Sequence, residues 1–329
     1  MLLTKLIRAA LCSIAVSGAI SAHADQYPSK TITLLVGFSA GGATDSVARL
    51  YGQKLSQVLN TPVIVENKPG ANQLPAIRTL KAADPDGYTL LVAGGSALGE
   101  APAVRTDLGY KPLTDFSLVG YIGSQACILS VNPSVPANSV AELINYAKSR
   151  PGQLNVGSAG VGTAGHLQAL YFQHVTGTSF THIPFKSDAE ASQEVASGTV
   201  QMDMLTAQFA VPLAKAGKLK ALMITTPQQQ SYLPNVPGVS EVHVPGLDGM
   251  NPCTFFSVVG PAGMPSEVVN RLNAALNKVS TMPDIVSRMR NSLYIEPATS
   301  TPASFRDFVV KELAKWQTVA KEANLKITQ

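Results

Sequence analysis

Charged residues are scarce in this sequence, and no cluster of basic residues is present. Only 14% of the 329 residues are charged and 45% are hydrophobic, a balance typical of a globular chain with a sizeable core. The net charge is +4, without the runs of lysine and arginine that follow a nucleic-acid backbone, so we expect no nucleic-acid partner. The length suits two compact domains or one large α/β unit.

Complete motifs for metal, dinucleotide or nucleophilic chemistry are also missing. No histidines show the spacing of H-x-x-x-H or H-E-x-x-H, so we expect no metal site. Residues 160–165 match the G-x-G-x-x-G pattern of dinucleotide sites, but the acidic residue expected after the next strand is absent. Ser158 lacks the first glycine of G-x-S-x-G. We therefore expect no cofactor and no enzymatic activity, with a secreted hydrolase that uses Ser158 as the alternative.

No hydrophobic run reaches the roughly 20 residues that span a bilayer, and the first 24 residues predict a signal peptide. Lys5 and Arg8 precede an apolar stretch over residues 9–20, and Ala22-His23-Ala24 fits a cleavage site. Loss of the two basic residues lowers the net charge from +4 to +2. We expect a protein secreted to the periplasm, and an uncleaved N-terminal anchor is the alternative.

Cysteine is also scarce, with three residues in the chain. Cys12 lies in the predicted leader, and Cys127 and Cys253 remain in a compartment that permits disulfides. A fold of this size does not need a bridge for its stability. We expect two separate buried thiols, and a disulfide between Cys127 and Cys253 is the alternative.

A strand, a glycine turn and a helix start together predict an anion site near the beginning of the mature chain. An apolar run at residues 32–36 leads through small residues into a helical pattern. Adjacent glycines leave backbone amides uncovered, and amides at a helix start lack partners and favour negative charge. Asp45 most simply charges the first helical turn. The candidate ligand-binding residues are Phe38, Ser39, Ala40, Gly41, Gly42, Ala43, Thr44 and Asp45.

The rest of the chain predicts two α/β lobes joined by two crossing segments. Strand and helix patterns alternate on both sides of a long apolar run at residues 116–131, and a second run at 251–259 leads back. We assign residues 25–130 and 252–329 to lobe 1 and residues 131–251 to lobe 2, with a hinged cleft between them. Ligands bind beyond the carboxyl ends of such strands, which adds Ser96 to the candidates. Asp203 interrupts an apolar strand, either facing the cleft or buried for structural reasons.

The mature chain resembles the substrate-binding proteins of tripartite tricarboxylate transporters, the Bug family. The segments that carry the resemblance keep their order along nearly the whole chain; they are Tyr27-Pro28-Ser29-Lys30, Gly41-Gly42-Ala43-Thr44-Asp45, Val65-Glu66-Asn67-Lys68-Pro69-Gly70-Ala71, Pro85-Asp86-Gly87-Tyr88-Thr89-Leu90, Gly160-Val161-Gly162-Thr163-Ala164-Gly165-His166-Leu167, His182-Ile183-Pro184-Phe185-Lys186 and Gly260-Pro261-Ala262-Gly263-Met264-Pro265. Each segment alone is weak evidence.

The resemblance implies a two-lobed α/β periplasmic binding protein, a Venus flytrap of the type II-like class. It implies a monomer that captures a small carboxylate for the membrane permease subunits of a transporter. In the family, the first glycine loop and the loops of the second lobe hold one carboxylate of the ligand. The further positions that fall at those places are Ser158, Thr163, His166, Pro184, Phe185, Lys186, Thr206 and Ala207, beside Asp203.

Departures from the family pattern bear on the ligand. Leu74 stands where members carry an amide, Ser187 replaces a glycine, and Phe209 follows the strand near the cleft. An apolar wall at Leu74 favours a ligand with an apolar or aromatic body over citrate. We expect an aromatic mono- or dicarboxylate such as terephthalate. A binding protein that serves a sensor kinase is a further alternative.

Overall fold

The computed structural model describes residues 27–105, 108–250 and 252–322, in which eleven strands form two sheets. The predicted signal peptide lies outside these residues. The strands are β1 (Ile32–Val36), β2 (Val63–Asn67), β3 (Thr89–Gly94), β4 (Phe116–Gln125), β5 (Cys127–Val131), β6 (Asn155–Ser158), β7 (Thr181–Pro184), β8 (Met202–Thr206), β9 (Lys220–Ile224), β10 (Thr254–Pro261) and β11 (Ile295–Pro297). The strand order is β11-β4-β10-β3-β1-β2 in the first sheet and β7-β6-β8-β5-β9 in the second. Each sheet with its helices forms one lobe.

The helices cover the sheets, as the alternation in the sequence predicts. Those in the described part of the chain are α1 (Ala43–Leu59), α2 (Leu74–Lys81), α3 (Ala101–Val104), α4 (Pro112–Asp115), α5 (Val140–Lys148), α6 (Ala164–Thr176), α7 (Asp188–Ser197), α8 (Ala207–Lys215), α9 (Ser266–Ser280), α10 (Pro283–Arg288) and α11 (Pro302–Glu322). Helix α1 illustrates why they form, because Val47, Tyr51 and Leu55 recur on one face and are buried. Among the described helices, none combines the length and apolar character needed to cross a membrane.

Both crossing segments run antiparallel to neighbouring strands. Strand β4 pairs with β10 in the first sheet, and after Ala126 the chain enters the second sheet as β5, between β8 and β9. The predicted run at 116–131 is therefore two strands, with the crossover before residue 130. The return segment enters the first sheet as β10, which lies between β3 and β4; residue 251, where we expected it to start, is not described.

A disulfide joins the two crossing segments, which corrects the expectation of separate thiols. Cys127 is the first residue of β5, and Cys253 directly precedes β10. Their Cα atoms lie 5.4 Å apart, and the sulfurs are bonded. The two residues are 126 positions apart in sequence, so only the meeting of the two crossing segments reveals the pair.

Each lobe has its own core. In lobe 1, α1 and α9 pack on one face of the sheet around Val47, Tyr51 and Leu272, and the opposite face contains Leu74, Ile77 and Phe305 among its buried side chains. In lobe 2, Phe172 and other buried residues cover the second sheet. These cores fix the strands whose carboxyl ends border the space between the lobes.

Candidate functional site

A cavity lies between the lobes, beyond the carboxyl ends of β1, β3 and β8. Both lobes contribute residues to its wall. The described residues that line it are Phe38, Gly42, Ala43, Thr44, Gly94, Ser96, Cys127, Ala159, Thr163, Ala164, Gly165, Ser187, Asp188, Met204, Thr206, Thr254 and Phe256. This is the position that the α/β topology predicts for a ligand.

Three helices begin at the wall of this cavity without a side-chain cap. The N-cap residues are Gly42 of α1, Thr163 of α6 and Thr206 of α8, and none of them accepts a capping hydrogen bond with its side chain. All three line the cavity. The first amides of α1 and α6 therefore remain available, whereas in α8 the Ala207 amide already donates to the Ala126 carbonyl at 3.0 Å and the amides that follow it remain. Each helix end carries a partial positive charge of about half a unit. The convergence of three such ends makes the cavity suited to an anion.

Asp45 holds the first glycine turn in shape. Its carboxylate accepts hydrogen bonds from the Gly41 amide at 2.9 Å, from Arg49 Nε at 2.9 Å and from Asn67 Nδ2 at 2.8 Å. Burial alone raises the pKa of Asp45, but these hydrogen bonds and the Arg49 charge lower it below its usual value. Gly41 has a φ of 84°, which favours glycine. Asp45 is therefore a structural carboxylate, consistent with its expected place in the first helical turn.

A buried cluster holds the second glycine turn. Ser158 Oγ lies 2.7 Å from His182 Nε2 and 3.0 Å from the Gly160 carbonyl. The ring of His166 stacks on His182 at 3.8 Å, and its Nδ1 accepts a hydrogen bond from the Gly162 amide at 3.0 Å. Burial lowers the pKa of His166 to about 3 and that of His182 to about 4, with the neighbouring His182 adding to the shift of His166. Both rings are neutral at neutral pH and position the loop.

An outer region continues the cavity towards solvent. Phe38 and Ala159 border both spaces, and Arg105 and Lys186 bring positive charge to the outer one. Asn72 of lobe 1 donates a hydrogen bond to the carbonyl oxygen of Gly162 in lobe 2 at 3.0 Å. The remaining described residues that line this outer region are Gly37, Ser39, Pro69, Gly70, Gly160, Val161 and Phe185.

The structure divides the expected site residues into three groups. The inner cavity is lined by Phe38, Gly42, Ala43, Thr44, Ser96, Thr163 and Thr206. The outer region is lined by Ser39, Phe185 and Lys186, and again by Phe38. Among the described lining residues, neither space includes Ala40, Gly41, Asp45, Leu74, Ser158, His166, Pro184, Asp203 or Ala207. Several of these nonetheless shape the loops that line the cleft, as Asp45, Ser158 and His166 do.

Leu74 and Asp203 lie in the interior. Leu74 is 6% exposed and packs in the core of lobe 1, so it forms no wall of the cavity. Among the apolar residues that line the cavity, Phe38 is partly exposed, whereas Met204 and Phe256 are almost fully buried. Asp203 lies in β8 opposite Ser130 of β5 and is fully buried, which raises the pKa of its carboxyl well above the usual value.

Asp188 is a cavity residue that the sequence analysis missed. It is the first residue of α7, and Thr206 Oγ1 donates a hydrogen bond to its Oδ2 at 3.2 Å. Burial raises the pKa of Asp188 to about 6, and the Thr206 hydrogen bond opposes that shift. The S-x-x-E pattern of Ser187 and Glu190 was the available signal, because Ser187 Oγ caps the amide of Glu190.

The chain matches known proteins over nearly its whole length. Residues 47–325 match the family model described as the tripartite tricarboxylate transporter family receptor. BugT of Bordetella pertussis is 29% identical, with 99% of each chain covered. Among solved structures, Rpa4515 of R. palustris with adipate has a TM-score of 0.84 at 31% identity, covering 91% of this chain and 99% of that one. MatC of Rhodopseudomonas palustris with bound malate has a TM-score of 0.82 at 28% identity, covering 89% and 99%.

Proposed function

Because this chain belongs to the tripartite tricarboxylate transporter receptor family, we propose that it is a periplasmic solute-binding protein for a small carboxylate. It delivers the ligand, as a monomer, to the membrane subunits of a transporter of that class. The observation that carries this proposal is the convergence of three uncapped helix N-termini on one cavity between the lobes. Two similar structures hold adipate and malate, which are carboxylates.

The ligand carboxylate occupies the space in front of the three helix starts in this proposal. Hydrogen bonds to a charged group contribute about 1.5–3 kcal/mol each, and a helix dipole contributes about 0.3–1 kcal/mol. The partly exposed ring of Phe38 favours an apolar or aromatic body. Burial of a ring of roughly 150 Å² adds about 4 kcal/mol, from which the cost of association is subtracted. An aromatic mono- or dicarboxylate is the proposed class, with terephthalate as the dicarboxylate to test.

Thr44→Val tests the anion site directly. Thr44 lies in the first turn of α1 and lines the cavity, and valine keeps its shape but removes the hydroxyl. We expect binding of the carboxylate to weaken about tenfold, the equivalent of one hydrogen bond of about 1.4 kcal/mol, with nearly the same melting temperature. Thr79→Val in α2, outside both cavity regions, is the matched control. Equal affinity of the two variants in titration calorimetry contradicts the placement of the anion.

The hydrogen bond between Ser158 and His182 is the observation on which a hydrolase would rest. Ser158 is fully buried, and its hydroxyl also contacts the Gly160 carbonyl, so we propose that it shapes the loop without attacking a substrate. Incubation with ester substrates is expected to give no turnover. Hydrolysis that disappears in Ser158→Ala is the result that overturns this assignment.

A further inference from the structure

We infer that the ligand carries a hydrogen-bond donor or a positive charge at the end opposite its carboxylate, and that the Asp188 carboxylate binds this group. The inference rests on the proposed function. It narrows the ligand class to amino or similarly donor-bearing monocarboxylates. A dicarboxylate of the same length and body is then the poorer ligand. The inference starts from the position of one acidic side chain in a cavity otherwise suited to an anion.

Asp188 is the one residue with an ionisable side chain among the described residues that line the inner cavity. Its Oδ2 accepts the hydrogen bond from Thr206 Oγ1 at 3.2 Å. No described residue donates a hydrogen bond to its Oδ1. This oxygen can therefore accept a hydrogen bond from a ligand in the cavity. The helix cap beside it is already complete, because Ser187 caps the amide of Glu190. Capping of α7 therefore does not account for the carboxyl of Asp188.

The charges around the cavity favour one ligand carboxylate over two. The helix N-termini at the cavity wall, which are the three uncapped ones and that of α7, together supply roughly two positive charges at about half a unit each. One ligand carboxylate and the Asp188 carboxylate already match that amount. A second ligand carboxylate near Asp188 places like charges together in a cavity between the lobes, where repulsion is screened less than in bulk water. A cationic or donor group at the same place instead forms a charge-assisted hydrogen bond.

The outer region offers the competing arrangement. Arg105 and Lys186 lie beyond Phe38 and Ala159, where they are placed to contact the far carboxylate of a longer ligand. In that arrangement a dicarboxylate extends out of the inner cavity, past Asp188, and the acidic side chain does not select the ligand. Matched ligands of two lengths separate the two arrangements.

Two pairs of ligands test the inference by titration calorimetry at neutral pH. They are 4-aminobenzoate against terephthalate and 6-aminohexanoate against adipate, which differ within each pair mainly in the group opposite the carboxylate. We expect the parent protein to bind the amino member about tenfold or more tightly than its partner. Asp188→Asn keeps an acceptor for Thr206 but removes the charge, and is expected to bring this ratio close to one or below it. Glu194→Gln removes an acidic charge from the same helix outside the cavity and is expected to leave the ratio unchanged.

The outcomes separate the inference from the proposed function. Tighter binding of the dicarboxylates by the parent protein, with a ratio unaffected by Asp188→Asn, overturns the inference while carboxylate binding stands. A ratio that changes equally in Glu194→Gln also overturns it, because a general loss of negative charge then explains the effect. If neither member of either pair binds, and a wider set of carboxylates also fails, both the proposed function and the inference are wrong.

Discussion

Loss of the bond between Cys127 and Cys253 is expected to destabilise the protein by several kcal/mol. The bond closes a loop of 126 residues that contains nearly all of lobe 2. In the chain-entropy account, a cross-link over such a loop restricts the unfolded chain by about 5 kcal/mol, and measured losses are typically about 2–5 kcal/mol. Both cysteines are fully buried, and Cys127 also contributes to the cavity wall.

The variants Cys127→Ala and Cys253→Ala, alone and together, separate the cross-link from local packing. Either single change breaks the same bond, so the double variant is expected to lose little more than a single one. Urea unfolding followed by circular dichroism measures the free energy of unfolding of all three. Parent protein refolded with a reductant provides the same comparison without mutation.

Two results refute this reasoning. If the double variant loses less than about 1 kcal/mol, the cross-link does not restrict the unfolded chain as a loop of this length requires. If the losses of the single variants add in the double variant, each cysteine acts through its own packing contacts. Both results point away from a bond between the two crossing segments.

Two further predictions concern the core and the second glycine turn. Leu74→Ala is expected to lower the free energy of unfolding by about 2–4 kcal/mol, because the side chain is buried in the core, and to leave the order of preferred ligands unchanged; a changed order in a thermal-shift screen contradicts its position. Burial lowers the pKa of His166 to about 3 and that of His182 to about 4. As the pH falls from about 6.5 towards 4, the unfolded state therefore binds more protons than the folded state, and the free energy of unfolding decreases over that range. The double variant His166→Asn, His182→Gln is expected to flatten this dependence in urea unfolding, and an unchanged slope contradicts the assignment.

Local patterns predicted the two glycine turns that border the cavity. The glycine turn before α1 and the second turn before α6 both depend on neighbouring residues, namely an apolar strand, small residues and a helical period. Such signals lie within one stretch of sequence, and the structure places Thr44 and Thr163 from those two stretches at the same cavity. The two-lobed fold followed from the same kind of evidence, because alternating strands and helices have few arrangements available.

The unpredicted features depend on contacts between distant segments. The partner of Cys127 is fixed by the meeting of the two crossing segments, which spacing does not reveal. Leu74 begins α2 after two residues with positive φ, Asn72 and Gln73, which turn the chain before the helix. The direction of its side chain follows from that turn, and the residue identity alone indicated only that it is apolar. The sequence analysis gave Asp188 no role, because its exposure to the cavity depends on the packing of α7 beside β8.

In the proposed function, the division of the cavity wall between the lobes links binding of an anion to the arrangement of the lobes. One of the three helix starts, at Gly42, belongs to lobe 1, whereas those at Thr163 and Thr206 belong to lobe 2. An anion contacts all three only when the lobes are together, and separation of the lobes removes the contribution of one or two helix ends. Because a ligand shifts an equilibrium by its difference in affinity for the two states, a carboxylate held this way favours the closed arrangement. In the proposed function, a transporter that contacts both lobes therefore detects occupancy through their arrangement, without contacting the ligand itself.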